Sequence, residues 1–378
     1  MERRPARRYR RRLYTSMTNH SSPGPLLSII VPCHNSMLKM ERLGTTLRGL
    51  SDPDVECVLI DDGSTDDTVK YLEALRESIR CPCIVGTQEN KGPGGAKNHG
   101  LARANGKYVW FVDSDDDINP QAMAALRELH HLDYDFIDFG VEHFAETAGR
   151  VRPSIGARAG ALALPPGEYR AAEVTRLFLL HSVGWLWTKV FNRAFLLRHR
   201  LCFPEHCIYE DTLWLFWLPL VVDRFYKSDL VGYYHHQDVE SVTRTAGRQP
   251  YRFYDRLLTA SLSVEVAKEF PSTPEERARI EDKFCNIFLI HTVQMLQLSR
   301  DWGMIPRVVR LYREEVKRLG VTRRIPRGRS SKFAKLLLPW LVSYLYPPQA
   351  QFFEQTHLRA WARAISFPAP PRQPRAEP

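Results

Sequence analysis

From Leu26 to Leu129 the chain alternates short apolar runs with amphipathic stretches, and this rhythm constrains the fold more than any other feature. Leu26 to Val31 (LLSIIV) is a nearly unbroken apolar run stopped by Pro32, the pattern of a strand buried on both faces. Met40, Leu43, Leu47 and Leu50 then recur at helical spacing. Val55 to Ile60 (VECVLI) predicts a second strand, and Val69, Leu72, Leu75 and Ile79 mark the next helix face. Ser64-Thr65-Asp66 supplies N-cap residues for that helix. Cys83 to Val85 begins a third strand, Gly92 to Gly95 reads as a flexible turn into a helix through Ala104, and Tyr108 to Val112 is a fourth strand. Pro120 sits where a further helix begins, followed by Met123, Leu126 and Leu129. Strands and helices alternating in this way predict an α/β fold, Rossmann-like, with a mostly parallel central sheet covered on both faces.

In such sheets ligands bind outside the carboxyl ends of the strands. Three of the four strand ends carry polar or acidic residues: Asn35, Asp61-Asp62-Gly63, and Asp113 to Asp117. Parallel strands bring these ends to one edge, so that edge is the predicted site. In DDGSTDDT (61–68), Gly63 permits a strand-to-helix bend. Asp61 or Asp62 is also placed to accept from a base N–H or a ribose hydroxyl. ENKGPGGAKNHG (89–100) lacks both the P-loop and the dinucleotide glycine patterns. It would put Lys97 and Asn98 on the first helical turn, facing the same crevice.

The DSDDD stretch, Asp113 to Asp117, clusters carboxylates that repel one another unless something positive sits among them. Its spacing suits a hard divalent cation with oxygen ligands; a solvated loop capping the helix at Pro120 is the plainer alternative. An EF-hand is excluded, because its glycine and closing glutamate are absent. In FPEHCIYEDTLWLFW (203–217), Asp211 is either the N-cap of an apolar helix or a general base whose pKa the neighbouring aromatics raise. In YYHHQDVESVTR (233–244), His235 or His236 is a metal or phosphate ligand, or a histidine without such a role.

The net charge of +10 over 378 residues does not call for a nucleic-acid partner, because the surplus sits at the ends. Seven arginines crowd Arg3 to Arg12, and a second basic run spans Arg323 to Lys335. These runs are either solvated or drawn to an anionic membrane surface. MERRPARRYRRRLY has no apolar stretch behind it and does not read as a secretory signal; Met17 offers an alternative start. Seven cysteines without repeated spacing fit a reducing compartment. The most apolar segment near the end, LLLPWLVSYLY (336–346), is interrupted by Pro339 and falls short of the ~20 residues of a membrane span. Residues 148–168 read as a loop, 251–320 as mostly helical, and the Pro-rich end as disordered.

Taken together and in this order, SIIVPCHN, VLIDDGSTDDT, ENKGPGGAKNHGLARANGKYVWFVDSDD, WTKVFNRAFL and YEDTLWLF resemble the family 2 glycosyltransferases with a GT-A fold. The nearest flavour is bacterial enzymes of lipopolysaccharide, capsule or exopolysaccharide synthesis. The resemblance implies a GT-A nucleotide-sugar-binding domain over 26–245, after a basic lead (1–25) and before a helical region (246–345) and a Pro-rich tail (346–378). It implies that Pro32 and Asn35 lie near the nucleotide, that Asp62, with Asp61 beside it, meets the base, and that Lys97 and Asn98 belong to the donor site. Asp113 and Ser114 would lie toward the ribose and diphosphate. Asp115 would be the metal ligand of a DXD motif, for Mg²⁺ or Mn²⁺, and Asp211 the catalytic base of an inverting enzyme. His236 stands where relatives often carry Arg and is a second candidate metal ligand.

The implied donor is a nucleoside-diphosphate sugar, UDP-sugar favoured, and the acceptor a glycan or lipid-linked hydroxyl. The implied location is the cytoplasm, peripheral at the inner membrane face. A catalytically silent sugar-nucleotide-binding or scaffold protein of the same fold is the alternative. A haloacid dehalogenase-like phosphatase fits less well, since Asp117 stands where that family wants Thr or Val, and the motif follows the fourth strand rather than the first.

Overall fold

The structure, a computed structural model, describes residues 24–147, 150–153, 164–171, 174, 184–237, 253–299 and 304–322. The Arg-rich lead, Arg244, the basic run after residue 322, LLLPWLVSYLY and the Pro-rich end lie outside the described residues.

The four expected strands form as β1 (Leu27–Cys33), β2 (Val55–Asp62), β3 (Cys83–Gln88) and β4 (Tyr108–Phe111). They pair in parallel, in the order β3-β2-β1-β4. The sheet then continues beyond what periodicity revealed. It takes in β9 (Lys189–Asn192), β6 (Phe136–Thr147), β10 (Arg224–Gln237) and β5 (Asp117–Ile118), with β7 (Arg150–Pro153) on β6 and β8 (Gly167–Arg170) on β10. In this second half only β6 and β10 are parallel, so the whole sheet of ten strands is mixed. Segment 148–168, expected as a loop, contributes β7 and the start of β8. These short edge strands take their order from β6 and β10 and carry no apolar alternation of their own.

Strand alternation divides the core. Leu27, Ile29 and Val31 of β1 pack on one face with α1 (Glu41–Gly49), α2 (Thr68–Ser78) and α4 (Gln121–Leu129), through Leu43, Leu47, Leu72, Leu75, Met123 and Leu126. Ile30 turns to the other face, among Ala96 and Leu101 of α3 (Gly92–Arg103), Phe195 of α5 (Arg193–Arg198), and Trp214 and Trp217 of α6 (Thr212–Val221). The opposite side of α6, Phe216 and Leu220, joins a third cluster with α7 (Phe253–Ala267), α8 (Pro274–Ser299) and α9 (Met304–Leu319). The helical C-terminal region thus shares α6 with the sheet domain. No helix among the described residues is long and apolar enough to cross a membrane.

Two local expectations shift. The glycine run at 92–95 is the first turn of α3 rather than a flexible turn before it. The N-cap position of α2 is Asp67, one residue past the expected Ser64-Thr65-Asp66, and it makes no side-chain capping bond; the Asp66 carboxylate accepts from the Thr68 N–H at 3.0 Å, while Ser64 and Thr65 bond to Asn35.

The second half of the sheet closes around a buried charge cluster. Asp138 of β6, wholly buried, accepts from Lys189 of β9 at 2.8 Å and from Lys227 of β10 at 2.9 Å. Burial works against the charge of Asp138, but the two ammonium groups hold its pKa below the usual carboxylate value. Asp138→Asn, which keeps the shape and removes the charge, is expected to destabilise the fold by about 3–5 kcal/mol, because two buried cations lose their counter-ion. Urea denaturation against wild type measures this.

Candidate functional site

The parallel register sets the site. β1 pairs Pro32 with Ile60 and Cys33 with Asp61, so the loops after β1 and β2 leave the sheet side by side. Asn35, in a left-handed conformation (φ 49°), accepts from the Thr65 N–H at 2.8 Å, and its own N–H donates to Ser64 Oγ at 2.9 Å. The two loops are laced together through this exposed residue. Asp61 accepts from the N–H groups of Gly63 and Ser64 and shapes the turn at Gly63. Asp62, 2 % exposed, accepts from Gln88 Nε2 at 2.7 Å and from the Lys91 N–H at 2.8 Å. Burial raises its pKa against the pull of these bonds.

The acidic loop after β4 splits into two parts. Asp116 turns inward: it is 2 % exposed, accepts from Tyr233 Oη at 2.8 Å and from the His236 N–H at 2.7 Å. Burial, then the neighbouring Asp115 and Asp113, drive its pKa well up. Tyr233 Oη also accepts from the Asp113 N–H at 3.1 Å. Asp113 and Asp115 are only half-buried, and Ser114 Oγ meets Ser36 Oγ at 2.9 Å. Asp116 therefore anchors the loop from within, while Asp113, Asp115 and Asp117 stay half-buried. The His236 ring stacks on Phe144, with centroids 5.0 Å apart, so its shown contribution to the loop is its main-chain N–H.

The loop 199–211, which leads into α6, packs against α3. Gly94 of α3 admits it: a Cβ there would lie 2.1 Å from the Pro204 carbonyl oxygen. Asn98 clamps Phe203 with a pair of bonds, its Nδ2 donating to the carbonyl at 2.9 Å and its Oδ1 accepting from the N–H at 2.8 Å. Both polar ends of Asn98 are thus engaged by the loop rather than turned to the crevice as its spacing suggested. Lys97 is likewise drawn inside. At 5 % exposure, its Nζ lies 2.6 Å from Glu210 Oε1 and 3.5 Å from Asp113 Oδ1. Burial opposes its charge, but Glu210 and Asp113 more than compensate and shift its pKa upward.

Asp211 occupies the N-cap position of α6, yet its side chain makes no capping hydrogen bond. The plain explanation of that carboxylate is therefore absent. Burial first, then Glu210, push its pKa up to about 6, against Lys97 and Arg256. Asp116 was visible within the acidic stretch, but its inward turn was not, and spacing gave no role to Glu210, Tyr233 or Arg256. An E-D pair before an apolar helix is a visible signal for Glu210, whereas the turn of Asp116 and the parts of Tyr233 and Arg256 depend on strand pairing and on α7.

The model of glycosyl transferase family 2 matches residues 28–191, from β1 to β9. Residues 28–191 are a family 2 glycosyltransferase domain. It is 27% identical over 258 residues to the GalNAc(5)-diNAcBac-PP-undecaprenol beta-1,3-glucosyltransferase of Campylobacter jejuni, covering 66% of this chain and 79% of that protein. It is 36% identical over 238 residues to the poly(ribitol-phosphate) beta-N-acetylglucosaminyltransferase TarS of Staphylococcus aureus, covering 60% of this chain and 38% of that longer protein. The structure of S. aureus TarS 1–349 in complex with UDP-GlcNAc superposes with a TM-score of 0.60 at 23% identity, over 78% of this chain and 81% of that one. The likeness establishes the GT-A architecture of this family 2 glycosyltransferase.

The raised pKa of Asp211 has a consequence for stability. A folded pKa above the ordinary carboxylate value means that the folded state resists ionisation. This group therefore costs stability as pH rises from about 4 through 6. Asp211→Asn is expected to raise the melting temperature relative to wild type at pH 7–8 and to change it less at pH 5. Thermal melts across that range measure the difference.

Proposed function

We propose that this glycosyltransferase moves a sugar, with inversion, from a nucleoside-diphosphate donor (UDP-sugar favoured) to a hydroxyl of a growing glycan or lipid-linked acceptor in cell-surface polysaccharide synthesis. One observation carries the reading. Asp211, without a capping bond and with its pKa pushed up to about 6, feels the charge of the buried Lys97, which pairs with Asp113 beyond the end of β4. A carboxyl that titrates near neutrality suits a general base. Opposite it stands an open acidic loop suited to a cation and diphosphate.

Asp211 takes the proton of the acceptor hydroxyl as that oxygen attacks the anomeric carbon. One base and one displacement give inversion, through an oxocarbenium-like transition state. Asp62, fixed by Gln88 and the Lys91 main chain, is held at the end of β2 to receive the base. Pro32 and Asn35 shape the neighbouring wall, with Asp61 holding the turn beside them. Asp113 and Ser114 lie toward the ribose and diphosphate.

The donor set fits Mg²⁺ or Mn²⁺. Asp115 offers hard oxygens on a half-buried loop, with His236 as the second candidate ligand. Among the described residues no group of three or more His, Cys, Asp or Glu is arranged to hold a metal ion. When bound, the cation stabilises the charge of the departing nucleoside diphosphate. The names of the C. jejuni and S. aureus relatives, one acting on an undecaprenol-linked glycan and one on poly(ribitol phosphate), support a surface-polymer acceptor. Peripheral contact with an anionic membrane belongs to the same proposal and rests on the basic run from Arg323 to Lys335.

Calorimetric titration with UDP, GDP and CDP, with and without Mn²⁺, tests the donor site. UDP is expected to bind only with Mn²⁺, and Asp115→Ala to abolish that binding. A folded protein that binds no nucleotide with metal present would overturn the reading. In a nucleotide-release assay, Asp211→Asn is expected to keep UDP binding and to lose roughly 10²–10⁴-fold in turnover. The wild-type pH profile should rise through about pH 6, where Asp211 ionises.

A further inference from the structure

We infer that Lys97 is a positioning residue for the transfer, a buried strut that joins the donor loop after β4 to the base-bearing loop before α6 and neutralises Glu210 beside Asp211. The inference rests on the reading of Asp211 as the base. Sequence spacing put Lys97 in the crevice as a donor contact. The structure turns its ammonium inward instead, with side chains of Lys97 and Glu210 each only 7% exposed, and spans the two loops through Glu210 at 2.6 Å and Asp113 at 3.5 Å.

Three residues on one side of α3 hold the base-bearing loop. Gly94 leaves room for the Pro204 carbonyl, Asn98 grips the Phe203 backbone, and Lys97 lies 5.7 Å from the centroid of the Phe203 ring while pairing with Glu210. The loop needs such a hold. His206 (φ 60°) and Tyr209 (φ 64°) are in the left-handed region, and Tyr209 directly precedes Glu210 and Asp211. Non-glycine residues stay there only when their surroundings over-determine them.

The charges make the second half of the case. Asp211 feels Glu210 and Asp113 as like charges, and Lys97 and Arg256 as opposite ones. A base must be ionised to accept a proton, and Glu210, next to it in sequence, opposes that ionisation. Lys97 answers Glu210 directly, so removing the lysine leaves two neighbouring carboxylates repelling each other in a buried setting.

The test follows nucleotide release from UDP-glucose and UDP-N-acetylglucosamine against pH, together with UDP binding in Mn²⁺, in Lys97→Met, Lys97→Arg, Glu210→Gln, Lys97→Met/Glu210→Gln and Asp211→Asn. Lys97→Met is expected to move the rising limb upward by about 1 unit or more and, because the two loops lose their strut, to lose about 100-fold in turnover even above the limb. Lys97→Arg should return the limb, as should the double variant, in which both members of the pair lose their charge. Glu210→Gln alone should move it downward, which keeps the test open if Lys97→Met fails to fold.

The limb decides the outcome: one that stays in place in all Lys97 and Glu210 variants overturns the inference. Unmoved, and joined to at least tenfold weaker UDP binding in Lys97→Met, it makes the lysine a phosphate ligand. If neither donor is turned over, thermal melts of the same variants take the place of the limb. The stability lost in Lys97→Met should then grow from pH 5 to pH 8 and be recovered in the double variant, and a pH-independent loss overturns the strut. Failure of the underlying reading looks different: Asp211→Asn at wild-type turnover removes the base, whatever the lysine does.

Discussion

A charge buried away from solvent needs a partner charge or gives up its ionisation, and this condition organises the edge where the strands end. The interior gives an ammonium group nothing to replace its hydration except carboxylates and main-chain oxygens. Lys97 meets that need by drawing in Glu210 and Asp113, which belong to loops far apart in sequence. A surface ion pair would contribute little to fixing those loops. A desolvated one has few alternative geometries, so it sets position even where its net contribution to stability is small. Asp138 with Lys189 and Lys227 follows the same rule where β9, β6 and β10 meet, and there it fixes how three strands sit in the sheet.

The same condition explains the division of labour within the acidic loop. Asp116 is withdrawn and bonded to Tyr233 and to the His236 main chain, and burial, then Asp115 and Asp113, raise its pKa. Asp113, Asp115 and Asp117 stay half-buried beside it. One aspartate thus anchors the loop from within and three stand nearer its surface. Their types are identical and only their burial differs.

The sequence made the parallel half of the fold legible because strands buried on both faces leave continuous apolar runs. LLSIIV, VECVLI and YVWFV are β1, β2 and β4 almost to the residue. The antiparallel half left no such trace. β5, β7, β8 and β9 are two to four residues long and take their register from partners. Within the site, clustered carboxylates were visible, and the loops after β1 and β2 leave the sheet side by side as the parallel order implied. The directions of Lys97 and Asn98 were not visible. Which way those side chains turn is decided by a loop more than a hundred positions later, and no local pattern encodes it. Asp211 as a simple helix cap was open on sequence alone and is answered only by the missing capping bond.

The pairing of β10 with β5 and β6 carries a consequence for how the molecule comes into being. Tyr233 and Tyr234 lie against Ile118 and Asp117, and the loop's anchors, Tyr233 and the His236 N–H, are on that same strand. The region matching the family model ends at residue 191, before β10. During synthesis the acidic loop therefore emerges well ahead of the strand that shapes it, and its closure is a contact of high sequence separation, the slow class in folding. Until β10 docks, Asp116 has neither of its partners and the edge of β6 that β10 will cover is open. An unpaired edge on a growing chain is exposed to association with other chains. The order of the strands thus makes the shape of the acidic loop a late event in folding, completed only when the chain has passed well beyond the loop itself.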